Sequence, residues 1–167
     1  DFIHPLEFDQ DILKQYKVVY APFPYCLNEK ICSALESWVK AGGVLFSESY
    51  FAGWNVEKGH HERVVPGYGF DKVFQAHQGV VEPDTDGTGV DISIQNGDNI
   101  IGSLIKETLV PQGAEVIGKF VSGEPAVTLA RYGKGKAVLI GSYIGLGVSR
   151  NKRCSNSDFI AGLVGSI

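Results

Sequence analysis

The sequence predicts an α/β fold with a parallel sheet and a C-terminal antiparallel β extension. Two observations carry this prediction: residues 16–47 show a strand, helix, strand pattern, and from Val90 onward apolar residues alternate as in antiparallel strands. With 167 residues, of which 44% are hydrophobic and 20% charged, the chain has the composition of one globular domain. We therefore expect residues 1–167 to form a single domain.

The β-α-β unit occupies residues 16–47. Residues 16–21 are rich in β-branched and aromatic side chains and precede two prolines, which predicts a buried strand that ends there. Asn28 is a favourable helix N-cap, the apolar residues after it recur with helical spacing, and Gly42-Gly43 predicts the helix end. Val44–Ser47 predicts a second strand, parallel to the first and joined by a right-handed crossover.

An irregular segment is predicted after the second strand. Residues 51–86 contain scattered glycines and aromatic residues among polar ones, without a helical or strand period. Long segments outside regular structure are usually functional or form an interface. We therefore expect residues 51–86 to carry function or contact a partner.

The C-terminal half predicts antiparallel strands. Val90–Ile94 alternates, and Asn96-Gly97 is a strong hairpin turn signal. Residues 99–109 fit either a helix face or a strand, and the turn before them favours a strand. Ser157 is a candidate N-cap of a closing helix that packs on the sheet. Three further strands are predicted at Glu115–Phe120, 126–132 and 136–142, separated by glycine-containing turns.

Charge and composition exclude several classes of protein. The chain has 15 basic and 19 acidic side chains and a net charge of −4, which argues against a nucleic-acid partner. Its apolar runs are shorter than the roughly 20 residues that span a membrane, and no signal-peptide pattern opens it. A complete TIM barrel needs about 200 residues or more and does not fit. The absence of methionine, even at position 1, predicts an internal piece of a longer polypeptide.

The residues of common catalytic and metal sites do not assemble in this sequence. Cys26, Cys32 and Cys154 lack CxxC or CxxH spacing, so neither a disulfide framework nor a zinc site is predicted. All four histidines precede residue 78, which argues against a nucleophile-histidine-acid triad. The adjacent His60 and His61 favour a solvated loop over a lone metal ligand. We expect no catalytic residue, metal or cofactor in this chain.

Several strings, in this order, resemble one known family. Together they resemble the trimerisation domain of glycoside hydrolase family 42 β-galactosidases over nearly the whole chain. The last string is the most specific, because the β-α-β part alone fits many flavodoxin-like domains. The strings are Tyr16-Lys-Val-Val-Tyr-Ala-Pro, Trp38-Val-Lys-Ala-Gly-Gly, Val44-Leu-Phe-Ser, Gly123-Glu-Pro-Ala-Val-Thr and Arg131-Tyr-Gly-Lys-Gly-Lys-Ala-Val-Leu-Ile-Gly-Ser-Tyr-Ile-Gly.

The resemblance implies a flavodoxin-like, class I glutamine amidotransferase-like three-layer fold that has lost the amidotransferase chemistry. It implies a non-catalytic domain that forms a homotrimer, in a polypeptide whose separate TIM barrel hydrolyses β-galactosides in carbohydrate metabolism. We expect a cytoplasmic location. The family domain usually begins with a further strand and helix before the position of Asp1, and without them an edge strand would be exposed.

The resemblance also implies where the copies meet. Residues 51–74 match the long segment that follows the second strand in the family, so we expect an interface or pocket-facing surface there. The alternative for each aromatic residue of the segment is a place in the core of the chain itself. Since aromatic residues are enriched at interfaces, the candidate anchors are Trp54, Tyr68, Phe70 and Phe74.

Two other hypotheses remain open. The first is an amidotransferase-like enzyme or small-molecule-binding domain, with its site at the carboxyl ends of the parallel strands near residues 22–27 and 48–50. Cys26 would be its reactive thiol, because it is the only cysteine near a helix N-terminus. The other is a carbohydrate-binding surface of exposed aromatic residues, which Trp54 fluorescence would report.

Overall fold

The computed structural model describes residues 1–4, 7–150 and 155–165. The helices in these parts of the chain are α1 (Gln10–Leu13), α2 (Glu29–Ala41), α3 (Phe70–Phe74), α4 (Ile144–Arg150) and α5 (Asn156–Gly165). The strands are β1 (Val18–Ala21), β2 (Val44–Ser47), β3 (Trp54–Asn55), β4 (His60–His61), β5 (Ala76–Pro83), β6 (Val90–Ile94), β7 (Asn99–Gly102), β8 (Ile105–Pro111), β9 (Glu115–Phe120), β10 (Pro125–Tyr132) and β11 (Gly135–Ile140). Within the described residues, no helix is long and apolar enough to cross a membrane.

Seven strands form one mixed sheet in the order β1-β2-β11-β10-β9-β6-β7. β2 is parallel to both β1 and β11, whereas each neighbouring pair from β11 to β7 is antiparallel. β3 with β4, and β5 with β8, form two small antiparallel pairs. The predicted α/β class is confirmed, and the parallel and antiparallel parts share a single sheet.

The predicted helix of the β-α-β unit is confirmed together with its caps. Asn28 Oδ1 accepts a hydrogen bond from the backbone N–H of Ile31 at 2.8 Å. The helix ends at Gly42, whose φ of 128° lies in the region that favours glycine. A Cβ on Gly43 would lie 2.3 Å from the ring of Trp38, so only glycine lets β2 begin directly against this indole.

Two apolar cores lie on opposite faces of the sheet. Alternate residues of a strand point to opposite faces, and β2 supplies both cores in this way. Leu45 packs in the core that contains residues of α1, α2 and α3, whereas Val44 and Phe46 pack in the core that contains Ile144 and Phe159 of α4 and α5. The central strands are therefore covered on both faces.

The antiparallel half follows the predicted turn. Asn96 and Gly97 connect β6 to β7; Gly97 has a φ of 95°, and Asn96 Oδ1 accepts a hydrogen bond from the Asp98 N–H at 3.0 Å. Residues 99–109 form β7 and most of β8, which confirms the preference for strand. The two are separated at Leu104, whose φ is 69°, and β8 leaves the seven-stranded sheet to pair with β5.

The segment after β2 is more regular than the sequence predicts. Residues 51–86 contain α3 and the eight-residue strand β5. The register of β5 shifts between Gln78 and Val81, so its side chains do not alternate in the simple way that reveals a strand. The irregularity predicted for this part of the segment is therefore wrong.

Two short helices have no counterpart in the sequence prediction. α1 begins after Asp9, whose carboxylate accepts hydrogen bonds from the N–H groups of Asp11 and Ile12. α4 contains two glycines, which disfavour helix formation in water. The closing helix α5 is confirmed, but it begins at Asn156, so Ser157 lies inside the helix and is not its N-cap. Cys154 lies outside the described residues.

Candidate functional site

The segment after β2 folds back over the loop that follows β1. The Ala52 N–H donates to Pro24 O at 2.7 Å, and the Trp54 N–H donates to Tyr25 O at 3.1 Å. A Cβ on Gly67 would lie 2.0 Å from Ala52 O, so a residue with a side chain would displace the backbone here. This part of the chain is thus fixed to the carboxyl ends of the parallel strands.

The four predicted interface anchors fall into two groups. Phe70 and Phe74 are 1% and 0% exposed, and both pack against Phe51, with ring centroids 4.5 and 5.3 Å from that of Phe51. They fill the core of the chain itself. Trp54 and Tyr68 are partly exposed and can touch a partner, so the interface prediction rests on these two residues.

Glu57 connects the segment to the start of α2. Its carboxylate accepts hydrogen bonds from the Tyr68 hydroxyl and, at 3.0 Å, from the backbone N–H of Glu29. These two bonds lower the pKa of Glu57, so its carboxylate is ionised at neutral pH. Burial and the bond to Glu57 raise the pKa of Tyr68 to about 12. The loop therefore supplies a negative charge to the N-terminus of α2, where such a charge is stabilising.

A recess of about 460 Å³ opens beside Tyr68 at the start of α2. Val64, which is 50% exposed, also contributes to its wall. The lining has four carboxylates and two cationic side chains, which leaves an excess of two negative charges. We call it the acidic recess, and its charged residues are Glu29, Glu57, Glu62, Asp71, Lys58 and Arg63.

Glu48 directly follows the carboxyl end of β2. Its Oε1 accepts hydrogen bonds from the Tyr20 hydroxyl at 2.5 Å and from the Gly145 N–H at 2.7 Å. Burial raises the pKa of Glu48, and these hydrogen bonds act in the opposite direction. The carboxylate therefore holds β1, β2 and the start of α4 together.

Glu107 on β8 is a second buried acid near the carboxyl end of β2. Its Oε2 accepts hydrogen bonds from the Tyr50 N–H at 3.2 Å and from the Gln78 side-chain amide at 3.1 Å. Its Oε1 is buried and has no hydrogen-bond partner among the described residues. Burial raises the pKa of Glu107 to about 7. One carboxyl group thus links β8, β5 and the loop after β2.

The structure does not assemble a catalytic group around Cys26. Cys26 is exposed, whereas Cys32 is buried and its burial raises its pKa to about 12. His61 packs against Tyr25 and Tyr50, with ring centroids 6.0 and 6.1 Å apart. Over the described ranges, no hydrogen bond joins Cys26 to a histidine or a carboxylate, and no three side chains are grouped to hold a metal ion.

Sequence reasoning missed Glu107 and the capping role of Glu57. Glu107 lies on the same face of β8 as the apolar Ile105 and Leu109, and a charged residue on such a face needs partners, so its position was a usable signal. Glu57 gave no such signal, because its contact with Glu29 joins positions 28 residues apart.

The sequence matches a known family of domains over almost its whole length. Residues 1–166 match the family model described as the beta-galactosidase trimerisation domain. This chain belongs to that family. Beta-galactosidase LacZ of Heyndrickxia coagulans is 33% identical to the trimerisation domain in an alignment of 150 residues that covers 85% of this chain and 21% of that protein. The resemblance found in the sequence is thus confirmed.

Solved structures share the fold of this trimerisation domain. A family 42 β-galactosidase from G. stearothermophilus superposes with a TM-score of 0.75 at 20% identity, over 91% of this chain and 22% of that one. A cold-adapted β-galactosidase from Rahnella sp. R3 gives a TM-score of 0.69 at 24% identity, over 76% and 20% of the two chains. A cytoplasmic protein from Salmonella typhimurium LT2 gives 0.57 at 12% identity, over 81% and 64%. The chain spans about a fifth of the β-galactosidases that it matches.

Proposed function

We propose that this domain holds three copies of a β-galactosidase polypeptide together and takes no part in the chemistry. The observation that carries the proposal is the match to the trimerisation family over residues 1–166. The hydrolytic site would lie in a TIM barrel elsewhere in the same polypeptide, and the assembly would serve carbohydrate metabolism in the cytoplasm. The relatives' extra length leaves room for such a barrel.

The buried acids support a structural role for the domain. Glu48 and Glu107 each bond to groups on neighbouring segments of the chain. Glycoside hydrolysis needs two carboxyl groups that face a substrate in one cleft. The positions of Glu48 and Glu107 in the fold fit the joining of strands and loops, not that chemistry.

The contact between copies would lie on the segment after β2. Trp54 and Tyr68 are partly exposed there, and the nearby Val56 and Val64 are 44% and 50% exposed. Exposed apolar and aromatic side chains in one segment are typical of a surface that a partner covers. These four residues are the proposed apolar part of the interface.

We also infer a flavodoxin-like, class I glutamine amidotransferase-like sheet for the complete domain. β1 is an edge of the sheet, yet its residues Val18–Ala21 are all apolar or aromatic. Edge strands usually carry charges, proline or a bulge that prevents pairing. A further strand and helix preceding residue 1 in the polypeptide would cover this edge. Stronger hydrogen-exchange protection of the β1 amides in an N-terminally longer chain would support this, and unchanged protection would contradict it.

Solution mass tests the assembly proposal. Light scattering of the full-length polypeptide should give a trimer, and a Trp54→Ala, Tyr68→Ala variant should dissociate at higher concentration than the wild type. Phe2→Ala is the matched control, because Phe2 is a fully exposed aromatic residue outside the segment. A monomeric wild type would contradict trimerisation, whereas a variant that assembles like the wild type would place the contact elsewhere.

A second candidate function is small-molecule binding at the carboxyl ends of the parallel strands. It is favoured by the exposed thiol of Cys26 and the neighbouring aromatic group of Tyr25, Tyr50 and His61. The candidate requires that Cys26 be alkylated by iodoacetamide faster than a cysteine in an unfolded peptide at the same pH. An equal or slower rate would contradict it, and unchanged Trp54 fluorescence on titration with sugars would contradict a carbohydrate-binding surface.

A further inference from the structure

We propose that copies of this domain meet head to tail through charge, with the acidic recess of one copy facing a basic turn on the next. The inference rests on the trimeric assembly proposed above. A ring with threefold symmetry is built from heterologous contacts, in which two different surfaces of the chain meet. Such a domain must carry two complementary surfaces, and α2 has a charged surface at each end.

The basic turn lies at the end of α2 and comprises Lys40, Arg131, Lys134 and Lys136. The Lys134 N–H donates to Lys40 O at 3.0 Å, which fixes the β10–β11 turn to the helix end. Arg131 and Lys136 stand directly opposite each other in the register of β10 and β11. Like charges in opposed positions destabilise a strand pair, so an anionic partner would relieve an unfavourable contact here.

The basic turn is not neutralised within the chain as far as the structure describes it. The ion pairs of the described residues involve Lys14 and Lys106, and neither residue belongs to the turn. Glu36 lies one helical turn before Lys40, and its Oε1 accepts a hydrogen bond from the Tyr132 hydroxyl at 2.6 Å. The cationic side chains of the turn are therefore available to carboxylates of another molecule.

The acidic recess provides those carboxylates at the other end of the same helix. α2 has 13 residues, so its ends are about 20 Å apart, and one copy can present both surfaces at once. The recess volume of about 460 Å³ lies within the range of about 300–1,000 Å³ of ligand pockets. Val64 and Tyr68 give its wall apolar surface, against which the aliphatic stem of a lysine or arginine can pack.

A second copy of the chain is the partner that accounts for both the acidic recess and the basic turn. A free anion would account for the basic turn alone, and a free cation for the recess alone. Two surfaces of opposite charge on one domain satisfy each other when copies associate, and this complementarity also fixes which ends meet.

Charge reversal in the full-length polypeptide tests the contact. One variant carries Glu29→Lys and Asp71→Lys in the recess, and avoids Glu57 and Glu62, which bond to other groups of the domain. The other carries Arg131→Glu and Lys134→Glu in the turn, where a Glu at position 131 would face Lys136 and favour the strand pair. Each variant should raise the trimer dissociation constant about tenfold or more. The variant with all four substitutions should recover most of the loss, because its charges are complementary again.

The outcomes separate this contact from trimerisation itself. Asp91→Lys with Lys119→Glu is the matched control, since both residues are exposed on β6 and β9, and it should assemble like the wild type. A wild-type trimer whose two reversal variants assemble normally, or whose losses add in the combined variant, would overturn the head-to-tail contact and leave trimerisation intact. A wild type that is monomeric at all concentrations would overturn both.

Discussion

The carboxyl end of the parallel strands and the antiparallel half of the sheet differ in what they bury. Next to the parallel strands, the polar residues Glu48, Asn55 and Glu107 are buried and engaged in hydrogen bonds between segments. On β6, β7 and β9, the buried side chains are apolar, as with Ile92 and Ile100, and Thr128 on β10 is a buried polar exception in this half. Buried polar groups are costly unless paired, so they mark the region where loops must hold a defined position. The antiparallel half serves as a scaffold.

Backbone conformation shows the same difference. Four non-glycine residues at the carboxyl end have positive φ, with values of 50–60°: Phe23, Tyr50, Ala52 and Tyr68. In the antiparallel half, the β6–β7 and β9–β10 hairpin turns place glycine, Gly97 and Gly123, at such positions, and Leu104 after β7 is a non-glycine exception with a φ of 69°. A non-glycine residue in this region costs on the order of 1–3 kcal/mol and persists where the surrounding contacts over-determine it. Backbone strain of this kind is thus concentrated in the loops at the carboxyl end, which include Tyr68 of the proposed interface.

The largest effect on stability is expected when either of two core phenylalanines is replaced. Phe70→Ala under the loop region and Phe120→Ala in the antiparallel half should each destabilise the domain by about 3–5 kcal/mol, because each removes a buried ring. In the full-length protein, only Phe70→Ala should also weaken assembly, since Phe70 supports the segment that carries Tyr68. Denaturant unfolding and light scattering measure the two effects. Equal loss of assembly in both variants would contradict the view that the loop region carries the contact and the antiparallel half does not.

A smaller effect is expected from Glu107. Its pKa is raised to about 7 from an ordinary value of 4.5, so the folded state keeps its proton over a range where the unfolded state has lost it. Stability contributed by this proton is therefore present below about pH 4.5 and is lost as the pH rises to about 7. Glu107→Gln cannot ionise and should stabilise the domain by about 3 kcal/mol at pH 8, with little effect at pH 4.

Thermal unfolding across this pH range measures the Glu107 effect. Glu115→Gln is the control, because Glu115 is exposed on β9, and it should leave the pH dependence unchanged. If the stability of Glu107→Gln and that of the wild type changed with pH in the same way, the assignment of a neutral, buried carboxyl group would be contradicted.

The smallest expected effect lies in the antiparallel half. Gly97→Ala should destabilise the domain by about 1–2 kcal/mol, because alanine is strained at a φ of 95°. Assembly should not change, since the β6–β7 turn is far along the sheet from β1 and β2. Chemical denaturation gives the stability, and the mass of the full-length variant gives its assembly. A loss of trimer at unchanged stability would show that the turn is part of the contact.

Local signals account for what the sequence predicted of the fold. Asn28 and Gly42 are capping residues that act within a few positions, and Asn96-Gly97 forces a hairpin by its own backbone preference. α3 and β5 escaped prediction, because α3 has only five residues and the register of β5 shifts. Their stability comes from tertiary packing, which sequence patterns do not display.

The candidate site was harder to predict, because its decisive contacts join distant positions. Aromatic composition pointed to Trp54, Tyr68, Phe70 and Phe74, and burial then separated the last two from the first two. Residue type alone cannot distinguish a core aromatic from an interface aromatic, since both are apolar and large. Only the three-dimensional structure, in which Phe70 and Phe74 pack against Phe51, distinguishes the core residues from the interface candidates.

Whether this domain assembles the polypeptide is decided by the solution mass of the full-length polypeptide, measured by light scattering over a wide range of concentrations. We expect three times the monomer mass, with dissociation favoured by dilution and by Trp54→Ala with Tyr68→Ala. A mass equal to that of one chain at every concentration would contradict assembly as the function of this domain.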